Sequence, residues 1–247
     1  MSDWKPGRVV AKKQWNERLI SLSFTTDLPP FKAGQFTRIA LDIDGERVGR
    51  PYSLVNAPDD PIAEIYFNIV PEGPLSPRLA ALNVGDTLWV YKTTHGFLTL
   101  DELPPCRDLW LMATGTAIGP FLSILKTAAP WGRFDHVILI HAVRTPDELT
   151  YQDTIKEVTR LHAPQFRFQA VLSQSKEPWA LHGRIPLLLS TGALEKALEL
   201  PISAATSHIM LCGNSGMIET TSEILTERGL QKHKRREPGH FTTEKYH

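Results

Sequence analysis

The tetrapeptide Arg50-Pro51-Tyr52-Ser53 carries side chains suited to a flat, phosphorylated ligand. In an extended segment Arg50 and Tyr52 project to one face, and Pro51 and Ser53 project to the other. A planar guanidinium donates two parallel hydrogen bonds to a diphosphate, and a tyrosine ring stacks on a ring system while its hydroxyl still bonds. Ser53 is small enough to lie beside a reactive ring atom. The alternative interpretation is an arginine and a tyrosine on an exposed strand before a turn.

Two glycine-containing turns follow apolar, strand-like stretches in the second half of the chain. Ligands of open α/β sheets bind beyond the carboxyl ends of such strands. In residues 113–120, two glycines permit close backbone approach, and Pro120 suits the first turn of a helix whose N-terminus can hold an anion. In residues 211–214, Cys212 precedes Gly213 and an asparagine. The alternatives are an ordinary strand–helix turn and a buried structural cysteine.

A third group of candidate binding residues is cationic. Val143-Arg144 and Leu172-Ser173 end two further predicted strands, and Arg184 lies just beyond the second of them. A cluster of cations at this position could bind a ribose 2′-phosphate, as an arginine does in the sites of phosphorylated dinucleotides. The alternative is a set of solvated arginines.

The elements that must position these residues fall into two types, and residues 1 to about 100 are rich in predicted strands. Turn sequences with Pro, Gly and Asp separate short alternating runs, a pattern typical of a small antiparallel barrel or sandwich. One short helix is predicted at residues 77–82. The strands are predicted at residues 8–12, 19–25, 35–42, 52–55, 63–69 and 87–91.

After a proline-rich junction at residues 103–106, strands alternate with helices. Continuous apolar strands alternating with helices indicate a parallel sheet with helices on both faces. We therefore expect a second, α/β domain over residues 101–247. Its strands are predicted at residues 109–113, 136–143, 167–172 and 208–212. Its helices are predicted at residues 120–128, 152–162, 185–198 and 217–229.

Charge balance and cysteine content exclude several functional classes. Lys plus Arg number 27 and Asp plus Glu number 27, so the net charge is zero, which argues against a nucleic-acid partner. Neither Cys106 nor Cys212 lies in a Cys-x-x-Cys pair, so we expect no metal site. The first residues lack a signal-peptide core, and no apolar stretch is long enough for a membrane span. We therefore expect a cytoplasmic protein.

Arg-x-Tyr-Ser resembles the flavin-binding signature of the ferredoxin–NADP reductase superfamily, and the turns at Gly115 and Cys212 resemble its Gly-Thr-Gly-x-x-Pro and Cys-Gly motifs. The chain is most similar to the bacterial ferredoxin (flavodoxin)–NADP reductases. The order of the motifs spans nearly the whole chain, and further similar stretches lie at residues 31–36, 75–79, 235–241 and 244–246. The resemblance implies an antiparallel β-barrel that binds FAD, over residues 1–100. It also implies an α/β domain that binds NADP(H), over residues 101–247, with a C-terminal tail that returns to the flavin.

Site residues follow from the resemblance. Arg50 would contact the FAD pyrophosphate, Tyr52 would flank the flavin and Ser53 would approach flavin N5. Ser53, Cys212 and Tyr52 are the implied catalytic residues, with Cys212 facing the nicotinamide. The remaining implied FAD contacts are Pro51, Tyr66, Phe67, Asn68, Pro74, Leu75, Ser76, Thr116, Tyr246 and His247. The implied NADP contacts are Val143, Arg144, Ser173, Gln174, Arg184, Cys212, Gly213 and Asn214.

Two positions depart from the family pattern. Gln174 stands where close bacterial relatives carry an arginine for the 2′-phosphate, which weakens the basis for selecting NADPH over NADH. Because Arg144 and Arg184 remain, we still expect NADPH to be preferred. His247 ends the chain where relatives often carry an aromatic residue such as Trp, and a histidine titrates near neutral pH.

The implied activity is that of a ferredoxin–NADP(+) reductase. A hydride would pass between NADP(H) and flavin N5, and single electrons would pass to ferredoxin or flavodoxin. We expect a monomer. Residues 231–236 form a basic run that is either solvated or a docking rim for such an acidic carrier. The alternatives are a reductase that serves an oxygenase or free flavin, a flavin-binding electron-transfer or sensor module, and a nucleotide-binding module without flavin.

Overall fold

The computed structural model describes residues 3–246, and two six-stranded sheets dominate it. The strands of the first sheet are β1 (Trp4–Gln14), β2 (Leu19–Thr25), β3 (Phe36–Ile43), β4 (Glu46–Ser53), β5 (Ala63–Asn68) and β6 (Thr87–Tyr91). Their order in the sheet is β4-β3-β6-β1-β2-β5, and every neighbouring pair is antiparallel. One short helix, α1 (Ser76–Ala81), lies between β5 and β6.

The first sheet curls until its two edge strands meet. Leu54, just after β4, forms an antiparallel bridge with Ile65 of β5. The Val55 N–H donates to the carbonyl oxygen of Glu64 at 2.9 Å. Alternate side chains of the strands point inward and form a fully buried core that includes Leu22, Phe24, Ile39, Ile65, Leu88 and Val90. The predicted antiparallel β-barrel is confirmed.

The second sheet is parallel throughout. Its strands are β7 (Asp108–Thr114), β8 (His136–Val143), β9 (Phe166–Leu172), β10 (Leu181–His182), β11 (Ser207–Gly213) and β12 (Phe241–Lys245). The helices beside it are α2 (Gly119–Leu125), α3 (Ala129–Arg133), α4 (Gln152–His162), α5 (Ile185–Ser190), α6 (Ala193–Leu198) and α7 (Ser215–Glu227). Within residues 3–246, no helix is long and apolar enough to cross a membrane.

The strand order of the parallel sheet, β10-β9-β8-β7-β11-β12, creates a crevice. The chain moves from β7 to β8 and β9 in one direction, and it later adds β11 and β12 on the other side of β7. The order therefore reverses between β7 and β11, which is the topological switch point where such sheets bind ligands. Thr114 ends β7 and Gly213 ends β11, so both glycine-containing turns lie at this crevice. The predicted parallel α/β domain is confirmed.

Several element boundaries differ from the sequence predictions. The strand predicted at residues 52–55 is the end of β4, which begins at Glu46. Pro51 is tolerated in it because β4 is an edge strand of the sheet. The helix predicted at residues 185–198 is two helices, and Gly192, with a positive φ of 72°, separates them. The strands β10 and β12 and the helix α3 were not predicted.

The two sheets are held together by contacts beside the start of α4. The Tyr151 hydroxyl lies 2.5 Å from Ser21 Oγ and donates to Glu64 Oε1 at 2.7 Å. The Thr150 hydroxyl donates to the Tyr66 hydroxyl at 2.9 Å. These hydrogen bonds, two of them buried, join β2 and β5 of the barrel to the α/β half.

Candidate active site

A cavity of about 1530 Å³ lies between the barrel and the parallel sheet, and both halves of the chain line it. Single small-molecule sites are usually roughly 300–1,000 Å³. The cavity therefore has room for two ligands side by side or for one long ligand. It contains the end of β4 on the barrel side and the switch point between β7 and β11 on the other side.

The end of β4 supplies the barrel wall of the cavity. Arg50, Pro51 and Tyr52 line it. The Tyr52 ring packs edge-on against Phe67, with ring centroids 5.7 Å apart. Burial raises the pKa of Tyr52 to about 12, so its hydroxyl stays protonated at neutral pH and can donate a hydrogen bond. Arg50 Nη1 donates to the carbonyl oxygen of Gly49 at 2.9 Å, which leaves its other N–H groups for a ligand.

The switch point supplies a wall of bare backbone. Gly213 has a φ of 152°, and a Cβ atom there would lie 2.0 Å from Thr114 Oγ1, so a glycine is required. The same Thr114 hydroxyl accepts a hydrogen bond from the Asn214 N–H at 3.1 Å. The Asn214 side chain caps α7 by accepting from the Gly216 N–H at 2.9 Å. The N-terminus of α7 therefore faces the cavity, and Gly213 presents its backbone there without a side chain of its own.

Tyr246 closes the cavity between these two walls. Its N–H donates to the carbonyl oxygen of Gly213 at 2.9 Å, and its ring packs against the core that contains Cys212. The hydroxyl is buried beside Ser53 and Tyr52, and within residues 3–246 it makes no hydrogen bond of good geometry, although Ser53 lies within polar contact of it. Burial raises the pKa of both Tyr246 and Cys212. The thiol therefore stays protonated, and the orphaned hydroxyl is a group that a ligand could satisfy.

Cationic residues line the far end of the cavity, next to the ends of β8 and β9. Arg144, Ser173, Gln174 and Arg184 all line it. Within the described residues the Arg184 guanidinium makes no hydrogen bond or ion pair. Arg144 is different, since Glu148 binds it through Nε at 2.8 Å and through Nη2. An anionic ligand at this end therefore meets one unpaired and one paired cation.

Comparisons with known proteins agree with this geometry. Residues 111–223 match the family described as the oxidoreductase NAD-binding domain. A flavodoxin/ferredoxin–NADP reductase of Shigella flexneri is 47% identical over 100% of both chains. The chain belongs to the ferredoxin–NADP reductase family.

Two further relatives of this reductase family extend the comparison. A ferredoxin–NADP reductase of Pseudomonas aeruginosa is 35% identical, with 99% of this chain and 98% of the relative covered. The solved structure of a ferredoxin NADP+ reductase from Neisseria gonorrhoeae, with bound FAD and NADP, has a TM-score of 0.94 and 32% identity, and 99% of each chain is covered. Both the barrel and the parallel sheet therefore belong to the reductase fold.

Most residues that the family resemblance assigns to a binding site lie together in the cavity. Those that line it are Arg50, Pro51, Tyr52, Phe67, Asn68, Pro74, Leu75, Ser76, Thr116, Val143, Arg144, Ser173, Gln174, Arg184, Gly213, Asn214 and Tyr246. His247 lies outside the described residues. Ser53, Tyr66 and Cys212 are buried, with 2%, 1% and 0% of their surface exposed, and they do not line the cavity.

Ser53 and Cys212 lie directly behind Tyr246, whereas Tyr66 points elsewhere. Adjacent residues of a strand face opposite sides, so Phe67 reaches the cavity and Tyr66 reaches the contact between the two halves of the chain. There the Tyr66 ring packs edge-on against Tyr151, with ring centroids 5.2 Å apart. The flavin contact that the resemblance implies for Tyr66 is therefore not supported by the position of its side chain.

Ser76 also has a partner of its own. Its hydroxyl oxygen accepts a hydrogen bond from the Val70 N–H at 2.9 Å. This bond fixes the loop between β5 and α1, and Leu75 lines the cavity beside Ser76. Because the oxygen accepts in it, the bond does not use the hydroxyl proton, and the FAD contact that the resemblance implies for Ser76 stays a prediction.

The basic run 231–236 lies far from the cavity. Lys232 forms a parallel bridge with Phe241, and Phe241 pairs with Ile209 near the start of β11. Gly213, at the cavity, ends the same strand four residues later, a distance of about 13 Å along the strand. A carrier protein that docked on this run alone would lie at the opposite end of the sheet, so its position favours the solvated interpretation.

Two acidic residues near the site were not singled out from the sequence. Glu148 follows Arg144 by four residues, a spacing that can signal an ion pair. Glu244 pairs in register with Cys212 across β11 and β12, and its carboxylate lies close to Gly96 of the barrel half. The Glu244 carboxylate makes no hydrogen bond or ion pair within residues 3–246. Burial raises its pKa to about 7.

Replacing Glu244 with glutamine is expected to flatten the dependence of stability on pH. The ordinary pKa of this carboxyl is 4.5, so the folded state holds the proton more tightly than the unfolded chain does. Its contribution to stability is full below pH 4.5 and is lost as the pH rises through about 7. The denaturation midpoint of the parent, followed from about pH 4.5 to about pH 8, should therefore fall more than that of Glu244→Gln.

The matched control is Glu223→Gln, which alters an exposed glutamate on α7. This variant should follow the parent curve. Parallel curves for the parent and for Glu244→Gln would show that Glu244 titrates alike in the folded and unfolded states.

Proposed function

We propose that this protein is an FAD-dependent reductase that exchanges a hydride with NADP(H) and single electrons with ferredoxin or flavodoxin. The observation that carries the proposal is the single cavity on which Arg50, Tyr52, Gly213 and Arg184 converge from both halves of the chain. Similarity along the full chain to a flavodoxin/ferredoxin–NADP reductase supports it. So does the Neisseria structure, which contains both FAD and NADP.

The residues of the barrel wall fit FAD. The free donors of Arg50 suit a diphosphate, and the half-buried Tyr52 ring presents an apolar surface and a protonated hydroxyl to a ring system. The orphaned Tyr246 hydroxyl lies between this wall and Gly213. A flavin at this position would give that hydroxyl a partner, and the ring of Tyr246 would cover it.

The far end of the cavity fits a phosphorylated nicotinamide nucleotide. Arg184 and the free edge of Arg144 would receive a 2′-phosphate, and Ser173 and Gln174 would add hydrogen bonds to it. A nicotinamide ring would pack against the backbone of Gly213, which lines the cavity next to Cys212 in the sequence. The two ends are thus chemically distinct, and each suits one half of such a ligand pair.

Bound FAD and NADP(H) would supply the hydride and one-electron chemistry, while the protein supplies binding, orientation and electrostatics. Tyr52 holds a proton on its hydroxyl and offers a rigid edge for alignment. Ser53 and Cys212 define the floor behind Tyr246. The Cys212 thiol stays protonated and acts by packing, because burial disfavours the thiolate. Tyr246 excludes water from this floor.

We further propose that the chain consists of two cofactor-binding domains with a boundary near residue 100. Residues 1–100 would form the FAD-binding domain, and residues 101–247 would form the NADP(H)-binding domain, with the tail returning to the flavin. The first sheet ends at Tyr91 and the second begins at Asp108, which supports this boundary.

We also propose that the protein acts as a cytoplasmic monomer. Its partner would be an acidic electron carrier that approaches the cavity mouth, where Arg18 and Arg50 are exposed.

Electron transfer from NADPH to a purified flavodoxin tests the proposed function. With FAD bound to the protein, we expect NADPH-dependent reduction of flavodoxin, and we expect free FMN to be reduced far more slowly. Efficient reduction of free flavin without transfer to flavodoxin or ferredoxin would favour a free-flavin reductase. A protein that binds FAD and oxidises no NADPH would be a sensor or a passive electron-transfer module.

A further inference from the structure

Glu148 lies at the cationic end of the cavity and forms an ion pair with Arg144. Its carboxylate accepts three hydrogen bonds from Arg144, from the backbone N–H at 3.0 Å, from Nε at 2.8 Å and from Nη2. The Glu148 side chain is 16% exposed, whereas that of Arg144 is 50% exposed. The acid therefore lies beneath the arginine, and both line the cavity.

The other residues at this end of the cavity do little to offset the negative charge of the Glu148 carboxylate. Arg184 is exposed and, within the described residues, pairs with no acid. Gln174 is neutral, and its N–H donates to the carbonyl oxygen of Arg144 at 2.9 Å. Of the two cations that would meet a 2′-phosphate, one is thus already neutralised by an internal ion pair.

We propose that Glu148 is a specificity-determining residue that weakens the binding of the ribose 2′-phosphate and so narrows the preference for NADP(H) over NAD(H). The inference rests on the proposed function, since it takes Arg144 and Arg184 as the 2′-phosphate subsite. Glu148 touches neither the reacting atoms nor the phosphate. It acts through Arg144, whose positive charge it offsets.

The geometry separates the charge of Glu148 from its role in holding Arg144. Arg144 uses Nε and Nη2 for the carboxylate, so its Nη1 donors face away from Glu148 and have no partner within residues 3–246. A glutamine at position 148 keeps an oxygen that can accept from Arg144 and removes the negative charge. An aspartate keeps the charge and shortens the side chain.

A second acid in the same loop provides a local control. Asp147 also lines the cavity, but it is exposed and contacts Asn16 of the barrel half, whose Nδ2 donates to the Asp147 carbonyl at 3.1 Å. Among the described residues it makes no hydrogen bond or ion pair with Arg144, and its charge acts on that guanidinium only from a distance. Glu157, which pairs with Arg160 on α4, provides a control for the total charge of the protein.

The test is the affinity of the FAD-loaded protein for adenosine 2′,5′-bisphosphate and for 5′-AMP, measured by calorimetry. These probes differ in the 2′-phosphate alone. We expect Glu148→Gln to bind the bisphosphate about threefold to tenfold more tightly, with unchanged affinity for 5′-AMP. The gain should shrink as salt screens the charges, which a merely structural effect would not do. Glu148→Asp and Glu157→Gln should stay close to the parent, and Asp147→Asn should gain far less than Glu148→Gln because Asp147 makes no hydrogen bond to Arg144 within residues 3–246.

An unchanged or weaker affinity of Glu148→Gln for the bisphosphate would overturn the inference, and a weaker affinity would show that Glu148 mainly holds Arg144 in place. Equal gains for the bisphosphate and 5′-AMP would also overturn it. The affinities of the parent protein for the two probes distinguish a failure of this inference from a failure of the proposed function. If the parent binds the bisphosphate no better than 5′-AMP, the proposed nucleotide subsite fails and the inference fails with it.

Discussion

Replacing Tyr246 with alanine is expected to make the Cys212 thiol accessible and to strengthen NADPH binding. The thiol is fully buried in the structure, and the Tyr246 ring packs beside it and in front of Gly213. A buried thiol reacts when the structure opens locally, and each ~1.4 kcal/mol removed from that opening raises the rate by about tenfold. We expect the rate of modification by a thiol reagent to rise by about tenfold or more.

The expected gain in NADPH affinity has the same cause, the loss of the Tyr246 ring. The ring of Tyr246 lies where a nicotinamide would have to enter to reach Cys212 and Ser53. Removing Tyr246 and His247 together should therefore lower the Kd for NADPH, and fluorescence titration measures this directly.

Both experiments use a Cys106→Ala background, since Cys106 is partly exposed and would also react. Tyr246→Phe is the matched control, because it keeps the ring and removes only the unpartnered hydroxyl. It should leave Cys212 protected. If thiol reactivity and NADPH affinity in Tyr246→Ala equalled those in Tyr246→Phe, the ring would not cover this site.

Replacing Arg184 with alanine is expected to weaken NADP+ binding by about tenfold, because a charge-assisted hydrogen bond contributes roughly 1.5–3 kcal/mol and an exposed group lies at the lower end of that range. Arg184 is the cation at this end of the cavity that no acid pairs within residues 3–246. Its backbone carbonyl accepts from the Leu188 N–H at 3.0 Å, and alanine preserves this contact at the start of α5. The loss should be confined to ligands that carry a 2′-phosphate.

Calorimetry with NADP+ and NAD+ separates the contribution of Arg184 to binding the 2′-phosphate from its contribution to binding the rest of the nucleotide. NAD+ affinity should remain at the parent value in Arg184→Ala. The control variant is Arg160→Ala, which removes an exposed arginine from α4 that pairs with Glu157. A parallel loss for NAD+ and NADP+ would place Arg184 in a general structural role.

The sequence was sufficient to predict the two sheets and the end of the parallel sheet that carries the site. Continuous apolar runs identify β7, β8 and β11, and polar or glycine residues follow each of them. Because ligands bind at the carboxyl ends of parallel strands, Thr116, Arg144 and Gly213 could be placed near one another without knowledge of the strand order. The structure adds the switch point between β7 and β11, which brings them to one cavity.

Side-chain direction was harder to predict than element type. Tyr66 and Phe67 are neighbours of the same aromatic character, and the sequence does not say which one faces the cavity. The packing of Tyr66 against Tyr151, 85 positions later, decides it. Similarly, the sequence pattern predicts that an arginine directly after a strand is a free cation. In the folded protein, however, Glu148 binds the arginine at such a position, Arg144. Short elements such as β10, with two residues, are too brief to produce a periodic signal.

The proposed reaction is tested most directly by an anaerobic absorbance titration of the purified protein with NADPH and, separately, with NADH. We expect a yellow, FAD-containing protein whose visible absorbance is bleached by NADPH at a much lower concentration than by NADH. That result would link the barrel wall at Arg50 and Tyr52 to the cationic end at Arg184 in a single reaction. A colourless protein, or a yellow protein that neither nucleotide bleaches, would show that the protein is not an NADPH-dependent flavin reductase.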